Sequence, residues 1–177
     1  MPKATDDDYV AYVSARLPAL KLLAYHLCGN EHRAEDLVQE TITMVYMKWS
    51  RVAAADRMDQ YVNSIMVRTH IDEARRGWLK VRLFDSPPDQ RTEERPYEDR
   101  AIVHQALAGL PARQRAAVVL RYLYDLPIDE VAAILGCSTG TVKSQTNAAI
   151  GKLRSVLGDH RQPAATSSAT GTRARGK

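Results

Sequence analysis

The stretch PIDEVAAILGCSTGTVKSQTNAAIGKL, residues 127–153, decides how this chain is read. It divides into two helical patterns around a tight turn. Ile128, Val131, Ala132, Ile134 and Leu135 recur at the spacing of one helical face. Asp129 and Glu130 fall in the first turn of that helix, where the dipole favours carboxylates. Gly136 stands just past its end, where a left-handed residue stops a helix at little cost. Ser138 is placed to cap the helix that follows. That second helix has Val142, Thr146, Ala149 and Leu153 on its inner face. It turns Thr139, Lys143, Ser144 and Asn147 outward. This is the plan of a helix-turn-helix, whose second helix enters a DNA major groove.

The rest of the chain is read outward from this motif. Its 177 residues allow one domain or two small ones. With 45% hydrophobic residues, 6% aromatics and only nine glycines, helices suit it better than sheets. No apolar run approaches the roughly 18 residues needed to span a bilayer. The start, MPKATDDDYV, is acidic and lacks the basic-then-apolar order of a signal peptide. Cys28 and Cys137 lie far apart, with no CxxC or Cys/His cluster, and read as buried thiols of a reducing cytoplasm. A redox pair or a metal site is the alternative.

Charge is laid out unevenly under a net +4. Residues 85–100 hold three bases against six acids, and residues 101–158 hold six bases against three acids. An acidic joint therefore precedes a basic segment. The excess permits phosphate contacts without implying tight non-specific binding. Within the joint, FDSPPDQRTEERPYED carries three prolines and no apolar period. Pro87 and Pro88 cannot continue a helix. The expected organisation is all-α, with two small helical domains. One covers residues 1–81 and the other, which includes the helix-turn-helix, residues 99–158. A flexible linker over 82–98 joins them, and a disordered basic tail follows over 159–177.

The N-terminal part reads as helices throughout. Residues 9–28 carry Val10, Val13, Leu17, Leu20, Leu23, Ala24 and Leu27 near a helical period, with a break or kink expected at Pro18. Residues 31–49 put Ala34, Leu37, Val38, Thr41, Ile42, Val45 and Trp49 inward. Residues 50–58 show no long apolar period and read as a loop. A helix over 59–78 is expected to bury Tyr61, Ile65, Val67 or the stem of Arg68, Ile71 and Ala74. Two further segments, 101–110 and 111–124, precede the helix-turn-helix, and Pro111 suits a first helical turn.

At this point the residues resemble a family. LAGLPARQRAAVVLRYLYDLPIDEVAAILGCSTGTVKSQTNAAIGKLR is similar to region 4 of bacterial sigma-70-type initiation factors. CGNEHRAEDLVQETITMVYMKW, with YVNSIMVRTHIDEARR after it, is similar to their region 2. The economy of two regions and a short linker resembles the extracytoplasmic-function class. AEDLVQE, KWSRV and VKSQT look most like its actinobacterial branch. The resemblance covers residues 22–157, and AEDLVQE, LPARQR and CSTGTVKS at their mutual spacing make it specific where a lone helix-turn-helix would not be.

The resemblance implies a subunit that binds core RNA polymerase and directs promoter-specific transcription initiation. Its polymerase contacts would be the beta-prime clamp helices and the beta flap. Glu35, Asp36, Gln39 and Glu40 match the family's clamp-docking face. Arg51, Arg57, Met58, Arg68, Asp72, Arg75 and Arg76 match the part that opens and reads the minus-10 element. Base capture there needs a pocket with phosphate contacts nearby. The family often has Asn where this chain has Arg68, which puts its base preference in doubt. Arg75 and Arg76 also read as a solvated helix end. Tyr61, His70 and Trp78 could stack on bases or pack inside. Thr139, Lys143, Ser144, Gln145, Asn147 and Ala148 match the face that reads the minus-35 element. Asn147 and Gln145 can pair bidentately with adenine, and Lys143 suits a phosphate or a guanine edge. Many relatives have Arg where Ala148 stands, so weaker or altered minus-35 binding is expected. Arg113 and Arg115 read as DNA-backbone contacts or as surface charges. Family members are often held by an anti-sigma factor that covers both domains, and the linker allows such wrapping or a self-closed state.

An enzyme is not expected, nor a cofactor. The chain has no glycine-rich phosphate loop, no GxSxG, no HExxH and no metal-spaced cluster. The competing reading is a stand-alone helix-turn-helix regulator with an N-terminal dimerisation domain. That reading wants a broad apolar face, whereas the second helix shows acids there. The expected place of work is the bacterial cytoplasm, without membrane insertion.

Overall fold

The computed structural model describes residues 5–84 and 98–159, and every regular element among them is helical. Helix α1 spans Asp6–Cys28. Thr5 starts it with a reciprocal cap: its Oγ1 accepts from the Asp8 N–H at 3.2 Å, and the Asp8 carboxylate accepts from the Thr5 N–H at 2.9 Å. Asp6, Asp7 and Asp8 in the first turn complement the dipole. Of the break or kink expected at Pro18 the break does not occur, and the helix runs through it. Pro18 and Ser14 are both exposed, so water can take the carbonyl that the proline leaves without an N–H.

Helix α2, Glu31–Met47, opens on Asn30, whose Oδ1 accepts from the Arg33 N–H at 3.1 Å. It buries Ala34, Leu37, Val38, Thr41 and Val45. The segment 50–58, expected to be a loop, is helical in its first half. Helix α3, Trp49–Ala53, forms because Trp49 and Val52, three residues apart, are both buried. The Trp49 indole N–H donates to the Thr5 carbonyl at 3.0 Å, and Tyr9 and Tyr12 pack against its ring. Helix α4 spans Met58–Phe84 and buries Val62, Ile65, Met66, Val67 and His70. Ala74, expected inside, is exposed, because the packed face ends at Ile71. Residues 82–84 continue α4 rather than opening the linker, and Glu98 already belongs to α5. The rest of the expected linker, 85–97, and nearly all of the expected tail, 160–177, lie outside the described residues.

Helix α5 is Glu98–Ala108 and α6 is Ala112–Val118. A wider π-helical turn follows over Val119–Leu123, closed by the Tyr124 N–H donating to the Val119 carbonyl at 3.2 Å. Helices α7, Ile128–Leu135, and α8, Thr139–Asp159, complete the chain. Pro111 and Pro127 stand immediately before α6 and α7, where a missing N–H costs nothing.

One apolar cluster runs through both helical groups. Leu23 of α1, Leu37 of α2 and Met66 of α4 share it with Ala117 of α6, Val131 of α7 and Val142 of α8. A smaller cluster, Leu107, Leu110, Val118 and Ala149, binds α5, α6 and α8 to one another. Among the described residues no helix is long and apolar enough to cross a membrane.

Candidate functional site

The turn between α7 and α8 forms as its residues dictate. Gly136 takes φ 61°, in the left-handed region. Ser138 Oγ accepts from the Thr141 N–H at 3.1 Å and caps α8. Val142, Thr146 and Ala149 are buried, and Thr146 satisfies its hydroxyl on the Val142 carbonyl at 2.7 Å. The opposite face carries Thr139, Lys143, Ser144, Asn147 and Ala148, all exposed, with Gln145 half-buried at its edge. This is a polar, cation-bearing helix face with two amides, suited to base edges. Arg113 is exposed on α6.

Arg115 does not join that face. It is 9% exposed and points into the junction of the two helical groups. Its guanidinium donates to the Leu27 carbonyl at 2.7 Å, the Leu110 carbonyl at 3.0 Å and the Ala108 carbonyl. It ties the end of α1 to the α5–α6 corner, so it is a structural bridge rather than a DNA contact. Gly29 explains how that corner comes so close. It ends α1 at φ 68°, and a Cβ built on it would lie 2.8 Å from Ala108 Cβ.

On α2, Glu35, Asp36, Gln39 and Glu40 are all exposed, and Leu37 and Val38 between them are buried. Three- and four-residue spacings gather the polar groups on one surface. Among the described residues no other element covers them.

The minus-10 candidates are divided. Arg51 on α3 and Asp72 and Arg76 on α4 are exposed, and Arg75 pairs loosely with Asp72 at 3.6 Å. Met58 is half-buried against the core. Arg57 and Arg68 are occupied. Arg57 forms an ion pair with Glu130 of α7, and Gln60 donates to the same carboxylate. Arg68 donates from Nε to the Ile134 carbonyl at 3.0 Å and from Nη2 to the Ala133 carbonyl at 2.9 Å. Tyr61 and Ser64 line the groove between these contacts. His70 is buried, 3.8 Å from Cys28 Sγ, so it does not stack on bases here. The side chain of Trp78 lies outside the described residues. Glu130, Gln60 and the Arg115 bridge were not singled out from sequence as contacts. Their partners lie up to 88 residues away, and only the tertiary fold brings them together.

Burial sets the titration of the junction. It pushes the Cys28 thiol up to about 12, with Glu73 adding to the effect. It pulls His70 down to about 4, helped by the Arg115 and Arg33 charges. Both cysteines are free.

A helix-turn-helix with an exposed polar, amide-bearing face on an all-helical frame defines a DNA-binding protein. The comparisons specify which. The family model for sigma-70 region 2 matches residues 12–79, and that for region 4 matches residues 100–153. The RNA polymerase sigma-E factor of Streptomyces coelicolor is 31% identical over 157 residues, covering 85% of this chain and 86% of the relative. The ECF RNA polymerase sigma factor SigE of Mycolicibacterium smegmatis is 32% identical, over 82% of this chain and 60% of that protein. Among solved structures, the sigma factor RpoE of Bartonella quintana, in complex with the anti-sigma factor NepR, aligns at TM-score 0.73 and 26% identity. It covers 87% of this chain and 99% of that one. The chain belongs to the sigma-70 family of RNA polymerase sigma factors, and within it to the extracytoplasmic-function class. Its function is that of the class: it binds core RNA polymerase and directs promoter-specific transcription initiation.

Proposed function

We propose how that work is divided over the chain. Residues 1–81 dock on core polymerase and read the minus-10 element; residues 99–158 read the minus-35 element; residues 82–98 join them, and 159–177 form a basic tail. The α2 face of Glu35, Asp36, Gln39 and Glu40 docks on the beta-prime clamp helices, and the C-terminal group meets the beta flap. Arg51, Arg57, Met58, Arg68, Asp72, Arg75 and Arg76 serve the minus-10 element. Thr139, Lys143, Ser144, Gln145, Asn147 and Ala148 serve the minus-35 element. The subunit performs no catalysis of its own and works in the cytoplasm, where the polymerase is. An anti-sigma factor is its expected regulator, as the Bartonella relative is held by one.

The observation that carries this reading is the pairing of the exposed acidic face on α2 with the exposed amide-bearing face on α8. A stand-alone regulator needs the second face but has no use for the first. Modest charge is no obstacle, because the polymerase provides a second attachment and a high effective concentration. Co-purification with core polymerase followed by run-off transcription tests the reading. Specific transcripts that need this subunit are expected. A chain that ignores core polymerase yet binds duplex promoter DNA tightly by itself would overturn it.

A further inference from the structure

One tyrosine of α1 touches both flanks of the segment that carries Arg51, Arg57 and Met58. That segment runs from Trp49, the first residue of α3, to the first turn of α4. Trp49 and Val52 anchor its start in the core, and Met58 half-anchors its end. Between Val52 and Met58 no side chain is buried. The stretch therefore has little packing of its own to fix its shape.

Its ends are held by α1. Tyr12 packs its ring against Trp49, with centroids 5.6 Å apart. The Tyr12 hydroxyl donates to Asp59 Oδ1, in the first turn of α4, at 2.8 Å. The same oxygen lies 3.1 Å from Nε of Arg16, one turn further along α1. On the α3 side, the Trp49 indole is tied to α1 again, through the Thr5 carbonyl. Tyr9 makes a useful contrast. Its ring also packs against Trp49, but its hydroxyl donates to the Ile42 carbonyl on α2, at 3.0 Å. Of the two tyrosines, Tyr12 is the one bonded to α4.

The Asp59 side chain is 57% exposed, so its ion pair with Arg16 adds little to stability. A directed hydrogen bond does something else: it fixes register where an apolar contact would slide. Groups that read a base work only when neighbours hold them within about 0.5 Å of the productive geometry.

We propose that Tyr12 is a positioning residue for minus-10 reading. Through Trp49 and Asp59, with Arg16 beside it, Tyr12 fixes the spacing of α3 and α4, and so the placement of Arg51, Arg57 and Met58 against the DNA strand. The proposal rests on the assignment of those three residues to the minus-10 element.

The test uses holoenzyme assembled from core polymerase and the full chain, on a promoter whose start site has been mapped in vivo. Run-off transcription compares that promoter with versions changed at single bases, first in the minus-10 and then in the minus-35 element. Tyr12→Leu should lower the preference for the parent minus-10 bases by about three- to tenfold, as for a base contact that is displaced rather than deleted. Preference within the minus-35 element and affinity for core polymerase should stay as in the parent chain. Asp59→Ala should act as Tyr12→Leu does. Asp59→Asn, which keeps an acceptor for the hydroxyl, should regain most of the lost preference. Tyr9→Phe removes a hydrogen bond of α1 that does not reach α4, and should change neither preference. Circular dichroism checks folding. Should Tyr12→Leu misfold, Tyr12→Phe replaces it, since it keeps the ring on Trp49 and deletes only the bond to Asp59. An unchanged minus-10 preference in the folded Tyr12 and Asp59 variants would overturn the proposal. An equal loss on every promoter, or the same loss in Tyr9→Phe, would overturn it too, because Tyr12 would then only stabilise the fold. The assignment beneath it is checked separately with Arg51→Ala, Arg57→Ala and Met58→Ala. If these leave the minus-10 preference intact, the assignment fails, whatever Tyr12 does.

Discussion

Two glycines at helix ends separate backbone conformation from packing. Gly29 and Gly136 both sit at positive φ, 68° and 61°. Any L side chain is strained at either position. Only at Gly29 is there also a neighbour in the way, Ala108 Cβ at 2.8 Å, whereas nothing lies within 4 Å of a Cβ on Gly136. Gly136→Ala should therefore cost about 1 kcal/mol, the left-handed penalty alone. Gly29→Ala should cost about 2–4 kcal/mol, because overpacking is added. Urea denaturation of the two variants measures the difference, and equal losses would mean that the α1–α5 corner gives way easily. Asn147 poses a different question, since it is exposed on α8. Asn147→Ala should cost about 1–3 kcal/mol only on promoters that carry the base it reads. Run-off transcription from minus-35 variants decides this. An equal loss on every promoter would reduce Asn147 to a backbone contact.

At the scale of elements, α2 makes the sharpest expectation, because its two faces have separate jobs. Asp36 and Glu40 are exposed one turn apart, and the buried residues lie on the other side. Reversing both charges, Asp36→Lys with Glu40→Lys, should lower core binding at least tenfold in a pull-down. Folding stability should change by only about 0.5 kcal/mol, as for other surface substitutions. Undiminished binding would move the docking face elsewhere. Elements of this kind were legible in the sequence because a local period specifies them. The inner and outer faces of α2 and α8, the Gly136 stop and the Ser138 cap all follow from residues within one or two turns. The Pro18 break was misread because sequence gives no exposure, and an exposed proline leaves its lost carbonyl to water. Helix α3 was missed because five residues are too few to show a period. The polar contacts that α7 makes with Arg57 and Arg68 were illegible for a deeper reason. Glu130 reads locally as a first-turn carboxylate and Arg57 as a loop cation, and nothing nearby in the chain announces that the two meet.

At the scale of the whole molecule, the junction gathers histidines that burial keeps neutral. His26 and His104 stack with ring centroids 5.5 Å apart, and Tyr25 lies 4.0 Å from His104. His70 sits deeper, beside Cys28 on α1 and facing the charges of Arg115 on α6 and Arg33 on α2. Burial, with His26 and Arg115 adding their charge, pulls His104 down to about 4, and burial alone lowers His26. In the unfolded chain each of these groups titrates near 6.5. As the pH falls below that value, the unfolded chain binds protons that the folded chain refuses, so stability declines with acidity. The loss begins near pH 6.5 and, for His70 and His104, continues to about pH 4, where the folded forms also take up their protons. Well above pH 6.5, by about pH 7.5, these residues contribute almost no slope. His70 and His104 should each contribute up to about 1.4 kcal/mol per pH unit inside the window. Paired carboxylates such as Asp8 lie lower on the scale, since hydrogen bonds from Thr5 reduce its pKa below 3.8. Urea unfolding between pH 5 and pH 8 should therefore show a plateau and then a fall on the acid side. His70→Gln should flatten that fall by about one proton's worth. A profile identical to that of the parent chain would mean that His70 is protonated inside the fold and that Arg115 does not oppose it.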